Sequence, residues 1–451
     1  MNRPPADENA GLPRSLGDGL TLRWATPDDI EAVADYNVRH LSDHVTDNPP
    51  VPNEGVRDWT RDLMRGRHPT TRASDFTVVV DEQAGGRIVS CLCLISQTWA
   101  YAGIPFGVGR PELVSTSPAY RRRGLVRAQM DAIHARSAAR GELVQAITGI
   151  AWYYRQFGYE LTMAHGGSRR WLPFRIPAAA PDSVPAYRLR PATDTDFALI
   201  DRLYAAHGSH QLVTRVRSEA EWRYELPWKK YWLVEDAAGA PVGYAQGRPA
   251  DGGDEPELVK TFVVDELAVL PGRALRPVAL FLGQAFLAQL VEANQTRTEP
   301  LTTLALNLGP AHPVYAALGD VLEAYRPAWV WFLRVPDLPA FLRHIAPVLE
   351  ARLAASVMAG HTGALRLDFY RAQVQLTFSG GRLTDVSPYV PARMFDGDAH
   401  FPDLTFLHLL FGYRTLAEVN HIYPDCYADP EASVLLGILF PPQPSNPIHL
   451  D

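Results

Sequence analysis

The fold of this chain is decided by one stretch, which reads GRPELVSTSPAYRRRGLV from Gly109 to Val126. An extended segment ends at a Ser-Pro turn, and three arginines and a glycine then lead into a helix. Val126, Met130 and Ile133 follow one another at spacings of four and three, which is one face of a 3.6-residue period. The next position on this face is Ser137, which is small but polar, so the apolar character of the face weakens towards the end of the helix. The pattern predicts a strand, a basic turn and a helix in close succession.

A basic turn at a helix N-terminus is a place where an anion binds. Free backbone N–H groups and the positive end of the helix dipole point at whatever lies there. The residues that we expect to form this site are Arg121, Arg122, Arg123, Gly124, Leu125 and Val126. Backbone amides are expected to do most of the holding, since so tight a turn cannot point every arginine inward.

A second motif follows the helix, and together the two motifs carry a family resemblance. The segment from Ile150 to Tyr159 reads IAWYYRQFGY. The spacing of Arg121, Gly124 and Val126 resembles the coenzyme-A loop of the GNAT superfamily of N-acetyltransferases, although Val126 replaces the usual small residue. Both motifs, in this order, resemble the enhanced-intracellular-survival (Eis) type of acetyltransferase.

The resemblance implies acetyl-CoA as the cofactor and assigns roles to residues. The loop from Arg121 to Val126 would bind the pyrophosphate of coenzyme A. The backbone of Leu113, Val114 and Ser115 would bind the pantetheine arm and the thioester oxygen.

Tyr154 is the candidate general acid. It matches the tyrosine that protonates the leaving thiolate in the resembled family, and a phenol near pKa 10 suits a thiolate of similar basicity. The alternative is a core tyrosine in a cluster of aromatic residues. Tyr153, one position away, is the nearest competitor for the role.

Two candidates compete for the general base. Glu112 lies on the predicted cofactor strand, where many GNAT enzymes place a glutamate; the alternative is a solvated carboxylate at a strand end. In Eis-type enzymes the C-terminal carboxylate reaches back into the active site, which would make Asp451 the base. Against this, the ending lacks an aromatic terminus, and the Pro-rich segment before it is also typical of a surface tail.

Composition excludes several classes of protein. With 451 residues, 47% of them hydrophobic and 21% charged, the chain is long enough for several domains with sizeable cores. A net charge of −7 argues against a dedicated nucleic-acid binder. Three cysteines, two of them Cys91 and Cys93 in one apolar run, predict buried free thiols without a disulfide framework or a metal site. The absence of an apolar signal segment or a membrane span leads us to expect a cytoplasmic protein with no membrane partner.

The chain contains an internal echo, which predicts tandem domains. The nine residues from Leu22, LRWATPDDI, are echoed by LRPATDTDF from Leu189, after a proline-rich connector. The second copy lacks the phosphate-binding spacing, and Pro277 stands where its helix should begin. We therefore predict a GNAT domain at 1–175 and a second, degenerate GNAT-like domain at 186–335.

The last part of the chain, 336–451, reads as strands followed by helices, which indicates an α+β unit. By resemblance it is a sterol-carrier-protein-like domain. The predicted fold class is therefore α/β (α+β): tandem GNAT folds, the second degenerate, and a C-terminal sterol-carrier-protein-like domain.

The predicted function is acetyl-CoA-dependent N-acetylation of a primary amine by direct attack in a ternary complex. Aminoglycosides and lysine-like acceptors are the substrate classes that the resemblance suggests, and the acidic residues of the segment 42–69 add polyamines, with an ordinary solvated surface as the alternative. The resemblance also leads us to expect a homo-oligomer, with a hexamer as the state known in the family. The alternative is a non-catalytic protein that binds a lipid or small ligand in its C-terminal domain.

Overall fold

The protein has a mixed α/β fold built on several sheets, which confirms the predicted fold class. The computed structural model describes residues 8–41, 52–150, 152–178, 185–227, 229–250, 260–298 and 300–447. Within these residues the strands form three sheets. No helix in the described ranges combines the length and apolar composition that crossing a bilayer requires.

The elements before the proline-rich connector, residues 173–185, begin with two short strands and end with two more. They are β1 Arg14–Gly17, β2 Leu20–Trp24, α1 Ile30–His40, α2 Glu54–Met64, β3 Phe76–Asp81, β4 Arg87–Tyr101, β5 Ile104–Thr116, α3 Leu125–Ala139, β6 Val144–Ile147, β7 Glu160–His165 and β8 Ser168–Trp171.

The elements after the connector repeat much of this order. They are β9 Tyr187–Pro191, α4 Phe197–Gly208, β10 Val213–Val216, α5 Glu219–Glu225, β11 Lys230–Asp236, β12 Pro241–Pro249, β13 Thr261–Val269, α6 Leu275–Ala293, β14 Thr303–Leu306, α7 Pro313–Ala317, β15 Glu323–Arg326 and β16 Trp329–Arg334.

The C-terminal part carries the smallest sheet and most of the short helices. Its elements are α8 Leu338–His344, α9 Ala346–Ala354, β17 Gly363–Asp368, β18 Gln373–Ser379, β19 Arg382–Pro388, β20 Ala399–His400, α10 Phe406–Leu410, α11 Leu416–Ile422, β21 Tyr427–Ala428 and α12 Pro430–Leu439.

The first two sheets exchange strands. The first sheet has the order β1-β2-β3-β4-β5-β6-β16-β7, and β10 also pairs with the end of β4. The second has the order β15-β8-β14-β13-β12-β11-β9, so β8 lies far from its neighbours in sequence. The predicted domain boundaries at 175, 186 and 335 stay a prediction. We call the segments 1–175 and 186–335 the first and the second unit. β8 of the first unit pairs in the second sheet and β16 of the second unit pairs in the first sheet, so backbone pairing interlocks the two units.

The first sheet splits at its centre. β5 pairs in parallel with β6 at Val108 and Gly109, and the ladder between them ends there. The other edge of β5 stays paired with β4 as far as Thr116, with a bulge between Glu112 and Ser115 that inserts one extra residue. A gap therefore opens between the C-terminal halves of two neighbouring parallel strands.

The second sheet repeats this arrangement. β13 pairs in parallel with β14 from Thr261 to Val264. A bulge at Asp265 follows, because Val264 faces Gly247 whereas Glu266 faces Gln246. The echo in the sequence thus has a counterpart in backbone geometry, although a tandem origin stays a prediction.

Candidate active site

The bulge on β5 shapes the first split. Leu113, in the bulge, has a φ of +54°, an unusual conformation for a residue with a side chain. Its side chain is buried in the core against α1 and α2, whereas Val114 packs on the opposite face with the α3 side. The Ser115 carbonyl oxygen lies 2.9 Å from the Ser90 hydroxyl oxygen. The structure therefore places all three predicted cofactor-strand residues at the split.

The basic turn lies between β5 and α3, as predicted. Gly124 is the N-cap of α3 with a φ of +75°, and no side chain caps this helix. Only glycine adopts this backbone conformation without strain. The first-turn N–H groups of a 15-residue helix are therefore left for an external anion.

The side chains of the turn divide into buried anchors and exposed cations. Leu125 is buried in one core cluster and the Val126 side chain packs against another. These two residues can therefore contribute only backbone groups to an anion. Arg121, Arg122 and Arg123 are exposed. The Arg123 guanidinium lies over the ring of Tyr120, 5.1 Å from its centroid, which holds this charge at the turn.

The cations of this turn differ from those of the second unit. None of the three arginines from 121 to 123 forms an ion pair with a described residue. In the second unit, Arg273 in the turn before α6 pairs with Asp236 at 3.3 Å, and Arg276 in the first turn of α6 pairs with Asp320 at 2.7 Å. The arginines in the turn before α3 have no acidic partner among the described residues, whereas those near the start of α6 are paired with aspartates.

A buried amide fixes α3 against the sheet. Gln129 accepts a hydrogen bond from the Ser90 hydroxyl at 2.6 Å and donates to the Thr77 carbonyl at 3.1 Å. Because these bonds are fully buried, they hold the first turns of α3 in one position relative to β3 and β4. The candidate anion site is thus held in a fixed geometry.

Tyr154 lies on the β6 side of the split, opposite β5. It begins a short 3₁₀ turn, Tyr154–Phe157, which ends at Gly158 with a φ of +86°. Its hydroxyl lies beside Gly149, two residues beyond the end of β6, and it makes no hydrogen bond to a described residue. Burial raises the pKa of Tyr154 above its ordinary value of 10, and the nearby charge of Glu112 raises it further.

The aromatic cluster around Tyr154 is also present. Tyr153 and Tyr159 both pack edge-on against its ring, at centroid distances of 5.2 and 6.3 Å. The two interpretations of Tyr154 are therefore compatible, since the cluster fixes the ring while the hydroxyl stays available. Its catalytic role stays a prediction.

Glu112 is not a solvated carboxylate at a strand end. Its side chain is 17% exposed and forms an ion pair with Arg110, which is 1% exposed. The Arg110 guanidinium lies 5.3 Å from the ring centroid of Trp331 on β16. The structure therefore places Glu112 in a partly buried charged pair near Tyr154; its role as base stays a prediction.

Asp451 lies outside the described residues, so its role also stays a prediction. The last described part of the chain runs against the second unit. The Asn446 amide side chain donates to the Leu308 carbonyl at 3.2 Å, and the Asn446 N–H donates to Gln211 at 3.0 Å.

Sequence reasoning missed two residues next to the site, Arg110 and Trp331. Arg110 precedes Glu112 by two positions, so strand alternation could have placed both on one face. Trp331 comes from the exchanged strand β16 and left no local signal. The buried thiols were predicted correctly, since Cys91 and Cys93 are free and fully buried.

Comparisons with known proteins agree with this geometry. Residues 21–162 match the family model of an acetyltransferase (GNAT) domain. No curated protein matches the chain.

Solved structures share the fold along almost the whole chain. A conserved protein of unknown function from Enterococcus faecalis V583, described as a probable N-acyltransferase, aligns with a TM-score of 0.68 at 14% identity, covering 96% of this chain and 100% of its own. A GCN5-related N-acetyltransferase from Kribbella flavida aligns with a TM-score of 0.65 at 18% identity, over 96% and 100%.

Eis1 from Mycobacterium abscessus aligns with a TM-score of 0.59 at 15% identity, over 94% of this chain and 98% of its own. At these identities the likeness concerns the fold. Residues 21–162 are thus similar to an acetyltransferase domain of the GNAT type, a class of domain that uses acetyl-CoA as acyl donor.

Proposed function

We propose that this protein is an acetyl-CoA-dependent N-acetyltransferase whose acceptor is a primary amine on an aminoglycoside, a polyamine or a lysine-like group. The observation that carries the proposal is the split between β5 and β6, which has Glu112 on one strand and the Tyr154 hydroxyl at the end of the other. An uncapped helix N-terminus with uncommitted arginines follows directly on the same strand.

The residues present fit acetyl-CoA. β5 offers its backbone at Leu113, Val114 and Ser115 on the edge that no longer pairs with β6. The turn from Arg121 to Val126 supplies backbone N–H groups and positive charge to an anion. When bound, acetyl-CoA supplies the acetyl thioester.

Tyr154 would hold the proton that a leaving thiolate requires. Its raised pKa keeps the phenol protonated throughout the neutral range, and burial raises the pKa of a thiolate in the same place as well. A donor and an acceptor that are shifted together remain matched for proton transfer. The hydroxyl has no competing partner among the described residues.

The base that takes the proton from the amine is Glu112 or the C-terminal carboxylate at Asp451. One Glu112 oxygen is bonded to Arg110, which leaves the other for an amine or a bridging water. A homo-oligomeric, hexameric state is a proposal that rests on the resemblance, and a cytoplasmic location is a proposal that rests on the sequence.

The test of the proposal is thiol release from acetyl-CoA by the full chain with aminoglycosides, polyamines and lysine peptides as acceptors. Tyr154→Phe should retain acetyl-CoA binding and lose at least a hundredfold in kcat, the range of general acid catalysis. Tyr153→Phe is the matched control and should keep its turnover. No acetyl-CoA binding by the wild type, or equal turnover by Tyr154→Phe, would refute the proposal.

The two candidate bases are separated by two further variants. Glu112→Gln should lower kcat and flatten the acidic limb of the pH–rate profile if Glu112 is the base. A chain that lacks its last four residues should lose activity while keeping its thermal stability if the C-terminal carboxylate is the base.

A further inference from the structure

A cavity lies beside the split of the second sheet. Its volume is about 290 Å³, and its walls come from the end of α4, the loop between β14 and α7, and the segment Pro444–Asn446. A smaller space adjoins it and reaches Asp265 and Glu266 at the bulge of β13. The residues of β13 line only this smaller space, which connects the cavity to the split that corresponds to the candidate acetyl site of the first unit.

The wall formed by the C-terminal segment is fastened in place. The Leu212 N–H donates to the Pro444 carbonyl at 2.8 Å, and the Val213 N–H donates to the Ser445 hydroxyl at 3.1 Å. Gly309 has a φ of +81°, and a Cβ there would lie 2.7 Å from Asn446. The loop needs this glycine for the segment to approach so closely, so the cavity is a built feature of the fold.

His312 makes this split unsuitable for a pantetheine arm. Its Nε2 lies 3.0 Å from the Leu267 carbonyl on the split strand, and its Nδ1 accepts from the Val314 N–H at 3.2 Å. A histidine with both ring nitrogens engaged occupies the backbone position that a cofactor would need. The cavity must take a different ligand.

Several polar groups that face the cavity can donate hydrogen bonds. The Nε2 of His207 lies 3.5 Å from the Gln211 amide nitrogen, which leaves Nδ1 as the His207 nitrogen that can donate to a ligand. His207 and His210 contribute imidazoles, and the Ser445 oxygen, which already accepts from Val213, keeps its proton to donate. No Asp, Glu, Lys or Arg among the described residues lines this cavity, and the other walls include Pro310 and Pro313. Although histidines cluster here, no group of described residues is arranged to hold a metal ion.

We propose that this cavity binds a small organic carboxylate with an apolar body. The carboxylate accepts hydrogen bonds from His207 and His210, and the body packs against the prolines. A volume of about 290 Å³ is at the lower end of the size of ligand pockets, which suits a compact ring or a short chain. The site lies outside the candidate acetyl site and does not depend on the proposed function.

Binding should take up a proton. Burial lowers the pKa of His207, and neighbouring His210 lowers it further while Glu266 opposes the shift; the other groups on this side are His312, whose ring lies 4.5 Å away, and Asp265. The lowered pKa favours the neutral form of His207 in the free protein, and a bound carboxylate favours its protonated form. Affinity should rise as the pH falls from 8 to 6.

The test uses benzoate as the probe and benzyl alcohol as its uncharged counterpart, each titrated into the full chain while the ¹⁵N resonances of the imidazoles are followed by NMR. Benzoate should shift two histidine spin systems saturably and bind at least tenfold tighter at pH 6 than at pH 8. His207→Gln should weaken binding at least tenfold, and the exposed His421→Gln is the matched control.

A second variant protects the test against misfolding. Ala311 is exposed at the rim, so Ala311→Phe should block the cavity without disturbing the core. The proposal is overturned if benzoate produces no saturable shift, if benzyl alcohol binds equally well, or if His207→Gln and Ala311→Phe both bind benzoate as the wild type does.

Discussion

Gly124 and Gly272 occupy matching turns in the two units, with φ values of +75° and +83° and nothing within 4 Å of where a Cβ would lie. Gly124 is itself the N-cap of α3, whereas Gly272 lies two residues before the N-cap of α6, and the neighbouring arginines also differ. Arg273 is paired with Asp236, whereas the arginines before Gly124 have no such partner among the described residues. Substituting each glycine in turn therefore distinguishes the effect of backbone strain from an effect on anion binding.

We predict that Gly124→Ala weakens acetyl-CoA binding at least tenfold. A side chain in the left-handed region costs about 1–2 kcal/mol, which the turn can relieve only by misaligning its N–H groups. Gly272→Ala carries the same strain and should lower the melting temperature similarly without changing the affinity. Calorimetric titration of both variants checks this, and equal affinities would contradict it.

A capping arrangement explains the echo in the sequence. Arg23 donates to both oxygens of Asp29 at 2.7 Å, and the Thr26 N–H donates to Asp29 at 2.7 Å. Arg190 and Asp196 repeat the pair at 2.7 and 2.8 Å, with Thr193 in the place of Thr26. The repeated residues are those that start the first long helix of each unit.

We predict that acid removes the contribution of this cap. The Arg23 hydrogen bonds hold the pKa of Asp29 at about 2, below its ordinary 3.8, so its ionised form stabilises the fold above pH 4 and this is lost as the pH falls towards 2. Asp29→Asn should cost about 1 kcal/mol at pH 7.

The melting temperatures of wild type and Asp29→Asn, measured from pH 7 to 2.5, should therefore converge at the acidic end. The exposed neighbour Asp28→Asn is the control and should match the wild type throughout. A difference that stays constant over the whole pH range would refute this account.

At the scale of elements, a buried charged network joins β10 and α5 to the second sheet. Arg217 donates to both oxygens of Glu266 at 3.0 and 2.7 Å, and Arg215 pairs with Glu221 and Glu225 at 3.0 and 2.7 Å. All these side chains are buried. Because β10 also pairs with β4, the network connects the two units.

We predict that Arg217→Met destabilises the protein by about 3–5 kcal/mol, because it leaves the buried Glu266 carboxylate without its counter-charge. Arg223 pairs with Glu219 at the surface, with both side chains 59% exposed. Arg223→Met should therefore change stability by less than about 0.5 kcal/mol. Urea denaturation of both variants makes the comparison, and similar effects would contradict it.

At the scale of the whole molecule, the units are not independent. β16 fills the place between β6 and β7, and β8 lies between β14 and β15. One buried apolar cluster includes Trp99 and Trp331 of the first sheet together with Phe341, Leu410 and Phe411 of the C-terminal part. Backbone pairing and packing both join distant parts of the chain.

We predict that a fragment of residues 1–178 does not fold cooperatively. It lacks β16, so β6 and β7 lose a shared partner, and its β8 has no sheet to join. The full chain should unfold with a cooperative thermal transition, followed by calorimetry, and the fragment should show none. A monomeric fragment with a sharp transition would refute the prediction.

Local features of this fold could be predicted from the sequence, and long-range pairings could not. The turn at Gly124, the aromatic block around Tyr154 and the hairpin between β3 and β4 depend on residues close together in the chain. The exchange of β8 and β16 depends on partners more than a hundred residues away. Strand patterning says which face is apolar, but it does not choose between two available sheets.

The sequence by itself determined the candidate cofactor turn, the candidate acid and the echo of the capping residues, because turns and caps are set by bonds over a few residues. Only the tertiary structure decided that Glu112 is paired with Arg110, that Trp331 packs beside this pair, and that a histidine closes the second split. The reason is physical: these contacts come from strand pairing and burial between distant segments, which the whole fold must bring together.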